Sequence, residues 1–326
     1  MKILVIFTGG TIGSVKSEGW IAPDDTTKYR LLESYKDADQ KGIFFETASP
    51  YIILSENLSA KELTTLCGII TDAVKGDYDG VIVAHGTDTL QYSASAAAFC
   101  VGANCTPVVF VSSGYPLESE KSNGEANFEA AVEFIRAKAG RGVYISYANE
   151  QGGKVDIHTA ARALRHPEMS DKVYSLGGTP YAEYEGGVIS CREDYILSGV
   201  GEPLGKVNFC KKAGLLTVTV NPTEQYRYDL EGVRAIILIP YHSGTLNTAS
   251  EHFKVFCQIA KEKHIPIFLP DLPLGAHYAS MKSYSDLGII PLPPCSSVAL
   301  TVKIWAGISL GLPLEDFVKM PIAQEF

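Results

Sequence analysis

The chain has 326 residues, of which 46% are hydrophobic and 20% are charged, enough apolar material for one large or two ordinary domains with full cores. Its formal net charge is −9 and its longest basic run is the pair Lys211-Lys212, so it lacks the basic stripe that nucleic-acid binding requires. No apolar run approaches the roughly 18 residues of a membrane-spanning helix, and the first predicted strand leaves no room for a secretory signal. We therefore expect a cytoplasmic protein with no nucleic-acid or membrane partner.

The chain contains seven cysteines, scattered without a CxxC spacing. An odd number of scattered cysteines is typical of reduced thiols in a core and does not suit a disulfide framework or a zinc site. We therefore expect neither a metal nor a redox centre.

The first predicted element is a central strand, Ile3-Leu4-Val5-Ile6-Phe7, which leads into the turn Thr8-Gly9-Gly10-Thr11-Ile12-Gly13. A glycine pair lets the backbone come close to a ligand, and threonine hydroxyls flank this pair. Taken alone, the turn fits a structural role as well as a ligand-binding one.

A polar, glycine-containing segment, residues 15–23, follows this turn and carries one large aromatic side chain, Trp20. Such a composition is typical of a mobile surface loop that can act as a lid. Trp20 also suits a packing anchor, and from these residues alone we favour that interpretation.

Strands and helices alternate through the rest of the first half. A capping box from Ser59 to Glu62 opens a predicted helix over residues 60–75, and a second strand and glycine turn follow at residues 80–90. Further strands are predicted at 107–111 and 142–146, with a helix at 127–139. This alternation predicts an α/β fold with a mostly parallel sheet flanked by helices. Because ligands bind beyond the C-terminal ends of such strands, the turns carrying Thr11 and Thr87 should lie at one edge.

The second half predicts a smaller α/β unit. Residues 177–205 are rich in Gly, Pro and Tyr, which indicates short strands and a linker. Strands are then predicted at 215–220, 234–239 and 265–269, with a helix at 249–263 that is opened by a capping box from Thr248 to Glu251, and helices in the last thirty residues. We predict an N-terminal catalytic α/β domain over 1–187, a linker over 188–213 and a C-terminal α/β domain over 214–326.

Two hydroxyl-bearing turns, one with an adjacent carboxylate, suit acyl transfer. Threonine is a weak nucleophile that needs a neighbouring base, and backbone N–H groups in glycine turns can hold an oxyanion. No GxSxG elbow, GxxxxGK[ST] loop or GxGxxG motif occurs, so a serine hydrolase or a nucleotide-binding loop fits poorly. The pattern favours a threonine amidohydrolase.

Together, Thr8-Gly9-Gly10-Thr11-Ile12 and His85-Gly86-Thr87-Asp88-Thr89 resemble the two signatures of the bacterial-type L-asparaginases, closest to the cytoplasmic type I-like members. The resemblance extends through Ser55 and Asn127 into a C-terminal domain of fitting size. It implies a larger N-terminal and a smaller C-terminal α/β domain, and active sites shared between subunits of a homodimer or homotetramer. It also implies that no metal or organic cofactor is used.

Several roles follow from the resemblance. Thr11 matches the family's nucleophile, Thr87 its second catalytic threonine, and Asp88 the carboxylate that helps to bind the substrate's α-amino group. Ser55 matches a hydroxyl that binds the α-carboxylate, with Glu56 at a neighbouring substrate contact and Gly10 in the substrate-binding turn. A zwitterionic substrate needs such an anion near its ammonium group and donors near its carboxylate. Asp88 taken alone would fit a helix N-cap equally well.

Trp20 is the first departure from the family pattern, because the family has a loop tyrosine there that is hydrogen-bonded to the nucleophile. An indole N–H can donate a hydrogen bond but cannot accept or relay a proton. Thr11 must then be activated differently, with Thr8 or a water molecule as substitutes.

The second departure is Arg162-Ala163-Leu164-Arg165, where the family has an Arg-x-x-Lys run whose lysine is a general base. Arginine stays protonated in proteins, so Arg165 could not be that base. It could stabilise an oxyanion, pair with Asp88 or hold a larger acidic substrate through a bidentate contact, and an ordinary surface charge is the alternative. A slip of the alignment would bring Thr159 or His158 to this position. We favour Arg165 because the spacing to the following aromatic residue fits.

The third departure concerns a Gly-x-Gly-Asn turn of the family that reaches into the neighbouring subunit's site. Here the segment reads His242-Ser243-Gly244-Thr245-Leu246-Asn247, and Asn247 is the candidate for that contact. We therefore predict an amide hydrolase acting on L-asparagine. The alternatives are a hydrolase of a related or larger amide, and an amino-acid-binding homologue without activity.

Overall fold

The computed structural model describes residues 1–17, 20–23, 27–35, 41–193, 195, 200–270 and 278–326. The strands before residue 192 within these ranges are β1 (Lys2–Phe7), β2 (Ser14–Ser17), β3 (Trp20–Pro23), β4 (Phe44–Ala48), β5 (Gly80–Ala84), β6 (Val108–Val111), β7 (Val143–Tyr147), β8 (Val155–Thr159), β9 (Ala182–Glu185) and β10 (Val188–Cys191).

Eight of these described strands form one sheet, in the spatial order β10-β9-β8-β7-β6-β5-β1-β4. The five strands from β4 to β7 in that order pair in parallel, whereas β7, β8, β9 and β10 pair antiparallel. Strands β2 and β3 form a separate antiparallel hairpin. The predicted α/β class with a mostly parallel sheet is confirmed.

The remaining described strands form a second, parallel sheet in the order β11-β12-β13-β14. These strands are β11 (Leu215–Thr219), β12 (Ala235–Ile239), β13 (Ile267–Leu269) and β14 (Ile289–Pro291). The described α-helices are α1 (Thr27–Ser34), α2 (Ala60–Ala73), α3 (Leu90–Val101), α4 (Gly124–Arg136), α5 (Glu251–Glu262), α6 (Ser297–Leu310) and α7 (Leu314–Phe317).

The centre of the first sheet is apolar on both faces. In β1, Leu4 and Ile6 pack into one hydrophobic cluster while Ile3 and Val5 pack into the other. A strand covered by helices on both faces has no reason to alternate polar and apolar residues. This explains the unbroken apolar run that predicted β1, and it places the end of β1 in the middle of the sheet.

Helix α6 connects the two sheets. Its N-cap residue Ser296 donates a hydrogen bond from Oγ to the Ala163 carbonyl at 2.6 Å, and its residues Ala299 and Val302 belong to the same buried cluster as Ala94 of α3. The C-terminal part of the chain is therefore packed directly on the first sheet's helical layer. The domain boundaries over 1–187, 188–213 and 214–326 stay a prediction.

Several local predictions need adjustment. Ser59 caps α2 as predicted, accepting a hydrogen bond from the Lys61 N–H at 3.3 Å and donating one to Glu62. Helix α5 is instead capped by Ser250, so the predicted capping role of Thr248 is wrong. Helix α4 starts at Gly124, three residues before the predicted position. The segment predicted as a loop after the first turn contains the β2–β3 hairpin, with residues 18 and 19 outside the described ranges.

Candidate active site

The two glycine turns meet because β1 and β5 are neighbours. The strands pair in parallel up to Phe7 and Ala84, and the Thr8 hydroxyl donates a hydrogen bond to the Ala84 carbonyl at 3.0 Å. Gly10 has a φ of 75°, and a Cβ built on it would lie 2.1 Å from the Cα of Gly86. Only glycine fits this contact. The next residue of each turn is a threonine, so the contact brings Thr11 and Thr87 to one edge of the sheet.

Ser55 lies beside the second turn, at the start of a short 3-10 helix (Ser55–Asn57). A Cβ on Gly86 would lie 2.4 Å from its Oγ, and the side chain is buried. The hydroxyl is 3.4 Å from Oδ2 of Asp88, a long contact for a donor of this kind. Thr89 donates to the Ser55 carbonyl at 2.9 Å. The structure therefore places Ser55 against Gly86, Asp88 and Thr89 of the second turn.

A cavity of about 770 Å³ opens next to this edge and is lined by Thr87, Asp88, Tyr115 and Arg165, among others. Arg165 is exposed, so its guanidinium is available to a ligand in the cavity. The two alternatives for this position lie on strand β8 and are buried: His158 bonds Ser175 Oγ at 2.8 Å, and Thr159 accepts from Tyr195 at 3.2 Å. Of the three candidates, Arg165 is the one placed beside Thr87 and Asp88.

Six candidate residues do not line this cavity in the part of the chain that the structure describes: Gly10, Thr11, Trp20, Ser55, Glu56 and Asn247. Thr11 is half-buried in its turn, and Glu56 is exposed next to Ser55. Trp20 is 79% exposed, so the interpretation as a packing anchor is wrong for the single chain: the register of the β2–β3 hairpin pairs Trp20 with Ser17, at the end farthest from the first turn. Asn247 follows β12 in the second sheet.

Two histidines near the edge were not predicted. His85, at the end of β5, donates from Nδ1 to the Gly86 carbonyl at 2.9 Å, and burial lowers its pKa to about 4, which keeps its ring neutral at pH 7. His166 lines the cavity and contacts the Thr87 carbonyl through Nε2 at 3.0 Å. A single histidine in a polar segment has no spacing that reveals such a contact, so only the fold brings it to Thr87.

Asn127 at α4 is fully buried and joins three elements of the first sheet. Its Nδ2 donates to the Ser112 carbonyl at 2.8 Å, and its Oδ1 accepts from the Ala148 N–H at 2.7 Å. Asn127 therefore supports the scaffold behind the site.

Among the described residues, no three His, Cys, Asp or Glu side chains are grouped so that they could hold a metal ion. Within the same residues, no helix has the length and apolar character needed to cross a bilayer.

Known proteins are similar to this chain in sequence and in fold. The family model for the asparaginase N-terminal domain matches residues 2–196. This chain belongs to the asparaginase family. An L-asparaginase of Thermococcus kodakarensis is 32% identical over 327 aligned positions, which cover 98% of this chain and 96% of the relative.

Other proteins that are similar in sequence to this asparaginase-family chain are amidotransferase subunits. A glutamyl-tRNA(Gln) amidotransferase subunit of Thermoplasma acidophilum is 31% identical over 189 residues, 57% of this chain and 46% of the relative. The chain thus matches about half the length of that relative.

Solved structures of the family have the same fold. The thermostable L-asparaginase of Thermococcus kodakarensis aligns with a TM-score of 0.82 and 23% identity over 100% of this chain and 99% of its own. L-asparaginase I of Vibrio cholerae aligns with a TM-score of 0.77 and 21% identity, covering 100% of this chain and 98% of its own. The resemblance inferred from the two signatures is confirmed at the level of family and fold.

Proposed function

We propose that this asparaginase-family chain hydrolyses L-asparagine to L-aspartate and ammonia with Thr11 as the nucleophile. The observation that supports the proposal is the contact between Gly10 and Gly86. Thr11 and Thr87 are the next residues of these two turns, and Thr87 and Asp88 line the cavity. The L-asparaginase of Thermococcus kodakarensis, related over nearly the whole length of both chains, supports the substrate.

The reaction proceeds through an acyl-enzyme ester. The Thr11 hydroxyl oxygen attacks the side-chain amide carbon, and backbone N–H groups of the glycine turn hold the oxyanion. The Thr11 proton is relayed through Thr8 or a water molecule to the amide nitrogen. The C–N bond breaks as the amide nitrogen takes up a proton and leaves as ammonia. Water then attacks the ester, which releases the carboxylic acid and restores the Thr11 hydroxyl.

Substrate recognition rests on charge complementarity at the same edge. Asp88 attracts the α-ammonium group, and the Ser55 hydroxyl donates to the α-carboxylate. The hydroxyl can do so because its hydrogen bond to Asp88 is long, and therefore weak, and a shorter hydrogen bond to the substrate can replace it. We propose that Gly10, Thr87, Glu56 and Trp20 are further substrate contacts in the assembled site. Arg165 supplies a fixed positive charge that stabilises the oxyanion or holds a second acidic group.

A second candidate is the hydrolysis of a larger amide. The cavity of about 770 Å³ is in the range that accommodates ligands of drug size, more than L-asparagine requires. Arg165 in its wall favours an additional acidic group on such a substrate.

We further propose a homodimer or homotetramer in which Asn247 of one subunit reaches the site of another. The exposed indole of Trp20 and the position of Asn247 outside its own chain's cavity support this arrangement. A cytoplasmic location is supported by the seven cysteines, which form no disulfide within the described residues and so suit a reducing compartment. A solved structural neighbour from Campylobacter jejuni carries the description of a probable cytoplasmic L-asparaginase.

The test measures ammonia release from L-asparagine, L-glutamine and β-aspartyl amides bearing larger acidic groups. Thr11→Ala should abolish release, because no other hydroxyl replaces the nucleophile. Thr65→Ala is the matched control, since Thr65 is exposed on α2 and bonds only its own helix.

Calorimetry with L-aspartate separates the possible outcomes. Binding of L-aspartate together with turnover that needs Thr11 supports the proposal, and faster turnover of the larger amides supports the second candidate. Binding without ammonia release from any amide identifies an amino-acid-binding homologue and refutes the enzymatic proposal, as does turnover that survives Thr11→Ala.

A further inference from the structure

His166 makes two contacts that connect the second glycine turn to the wall of the cavity. Its Nε2 lies 3.0 Å from the carbonyl oxygen of Thr87, and its Nδ1 lies 2.9 Å from the carbonyl oxygen of Lys172. The Thr87 carbonyl also accepts the N–H of Leu90 at 3.2 Å, the bond that opens α3. The imidazole is thus a second donor to the carbonyl of a residue at the centre of the site.

In both contacts the partner of the ring nitrogen is a carbonyl oxygen, which can accept a hydrogen bond but cannot donate one. A neutral imidazole carries one N–H and one lone pair, whereas the imidazolium carries two N–H groups. With a neutral ring, one nitrogen lone pair would face a carbonyl oxygen and that contact would be repulsive. The two distances are therefore satisfied together only by the imidazolium.

We propose that His166 is a positioning residue whose imidazolium ties the Thr87 carbonyl to the cavity wall at Lys172, and so fixes Thr87 and Asp88 for the reaction. This inference rests on the proposed function for its catalytic consequence, while the double hydrogen bond stands independently. A rigid second tether is what a reactive turn needs, because an error of about 1 Å in the placement of reacting groups costs about 100-fold in rate.

The charges that face His166 suit a cation. The carboxylates of Asp88, Glu168 and Asp171 line the same cavity, where the described lining sets the guanidinium of Arg165 against them. An opposite charge stabilises a cation only at close range, so the two carbonyl contacts of His166, and not these carboxylates, carry the inference.

His85 and His158 provide an internal contrast. Each bonds one partner through Nδ1, the Gly86 carbonyl and the Ser175 hydroxyl respectively, and burial lowers the pKa of each to about 4. These two rings are neutral at pH 7 and bond one partner each, whereas His166 faces two carbonyl oxygens.

The first measurement is long-range proton–nitrogen NMR of the ¹⁵N-labelled protein at pH 7, with the His166 signals assigned from their loss in His166→Gln. Two protonated ring nitrogens for His166, beside neutral rings for His85 and His158, are expected. A neutral His166 ring overturns the inference. This measurement needs no substrate, so its result holds even if the protein is inactive on every amide. Such inactivity would refute only the proposed function.

The second measurement is steady-state kinetics. His166→Gln, which keeps one donor, should lower kcat by about 10- to 100-fold with a smaller change in KM, and imidazole added to His166→Gly should restore part of kcat. His252→Gln on the exposed side of α5 is the control and should match wild type. An unchanged kcat in a folded His166→Gln protein refutes the positioning role.

Discussion

Replacing Gly10 with alanine tests whether the contact between the two turns organises the site. The new Cβ would lie 2.1 Å from the Gly86 Cα, about 1.3 Å short of the 3.4 Å at which ordinary contact begins. The backbone angles of Gly10, φ 75° and ψ −176°, add about 1–3 kcal/mol for a residue with a Cβ. Because backbone atoms on both sides cannot rotate away, the turns must separate by about 1 Å, a displacement that costs about 100-fold in rate.

Gly13→Ala in the same turn is the matched control, because a Cβ there meets no atom within 4 Å. We expect Gly10→Ala to lower kcat/KM for amide hydrolysis by about 100-fold and the free energy of unfolding in urea by about 2 kcal/mol. Gly13→Ala should stay within about 0.5 kcal/mol of wild type and keep its activity. Equal stability and activity in the two variants would refute the reasoning, and the stability comparison does so without any assumption about substrate.

Three further predictions use single substitutions. Arg165→Lys should raise the rate of ammonia release from L-asparagine, since lysine can give up its proton and act as a base; an unchanged or lower rate counts against Arg165 as the limiting feature. Lys303→Met should lower the free energy of unfolding by about 3–5 kcal/mol, because the buried Glu325 carboxylate, 2.5 Å from Lys303 Nζ, would lose its ion-pair partner. Adding Glu325→Gln should recover much of this loss in urea titrations. Burial raises the pKa of Glu133, but hydrogen bonds from a tyrosine, a lysine and an arginine outweigh it and hold the pKa below 4.5. Its stabilisation is therefore complete above that pH and lost as the pH falls through the lowered value, so unfolding of Glu133→Gln should depend less on acid pH than wild type.

The glycine turns could be predicted from the sequence because their determinants are local. An unbroken apolar run such as that of β1 identifies a strand buried on both faces, and a glycine pair at its end marks a turn with unusual backbone angles. The close approach expected of that turn exists, but its partner is the backbone of Gly86. Sequence could place Thr11 and Thr87 at one edge because parallel strands end on the same side of a sheet.

Other features depend on contacts between distant parts of the chain. The antiparallel edge β8–β10 looks like any other run of short strands until its pairing with β7 is known. Trp20 has a large aromatic side chain that suits a buried anchor. It is nevertheless 79% exposed, at the end of the β2–β3 hairpin where it pairs with Ser17. His166 meets Thr87 across 79 positions of the sequence, a separation that leaves no local pattern.

The position of Arg165 changes what the proton acceptor can be. Within the described lining of the cavity no lysine is present, and the guanidinium of Arg165 cannot accept a proton. The His166 ring is equally unable to accept one while both of its nitrogens donate to carbonyl oxygens. Proton transfer in this site must therefore run through a carboxylate, a hydroxyl or water. Asp88, whose single side-chain contact with Ser55 is a long one, is the carboxylate nearest to that task in the second turn.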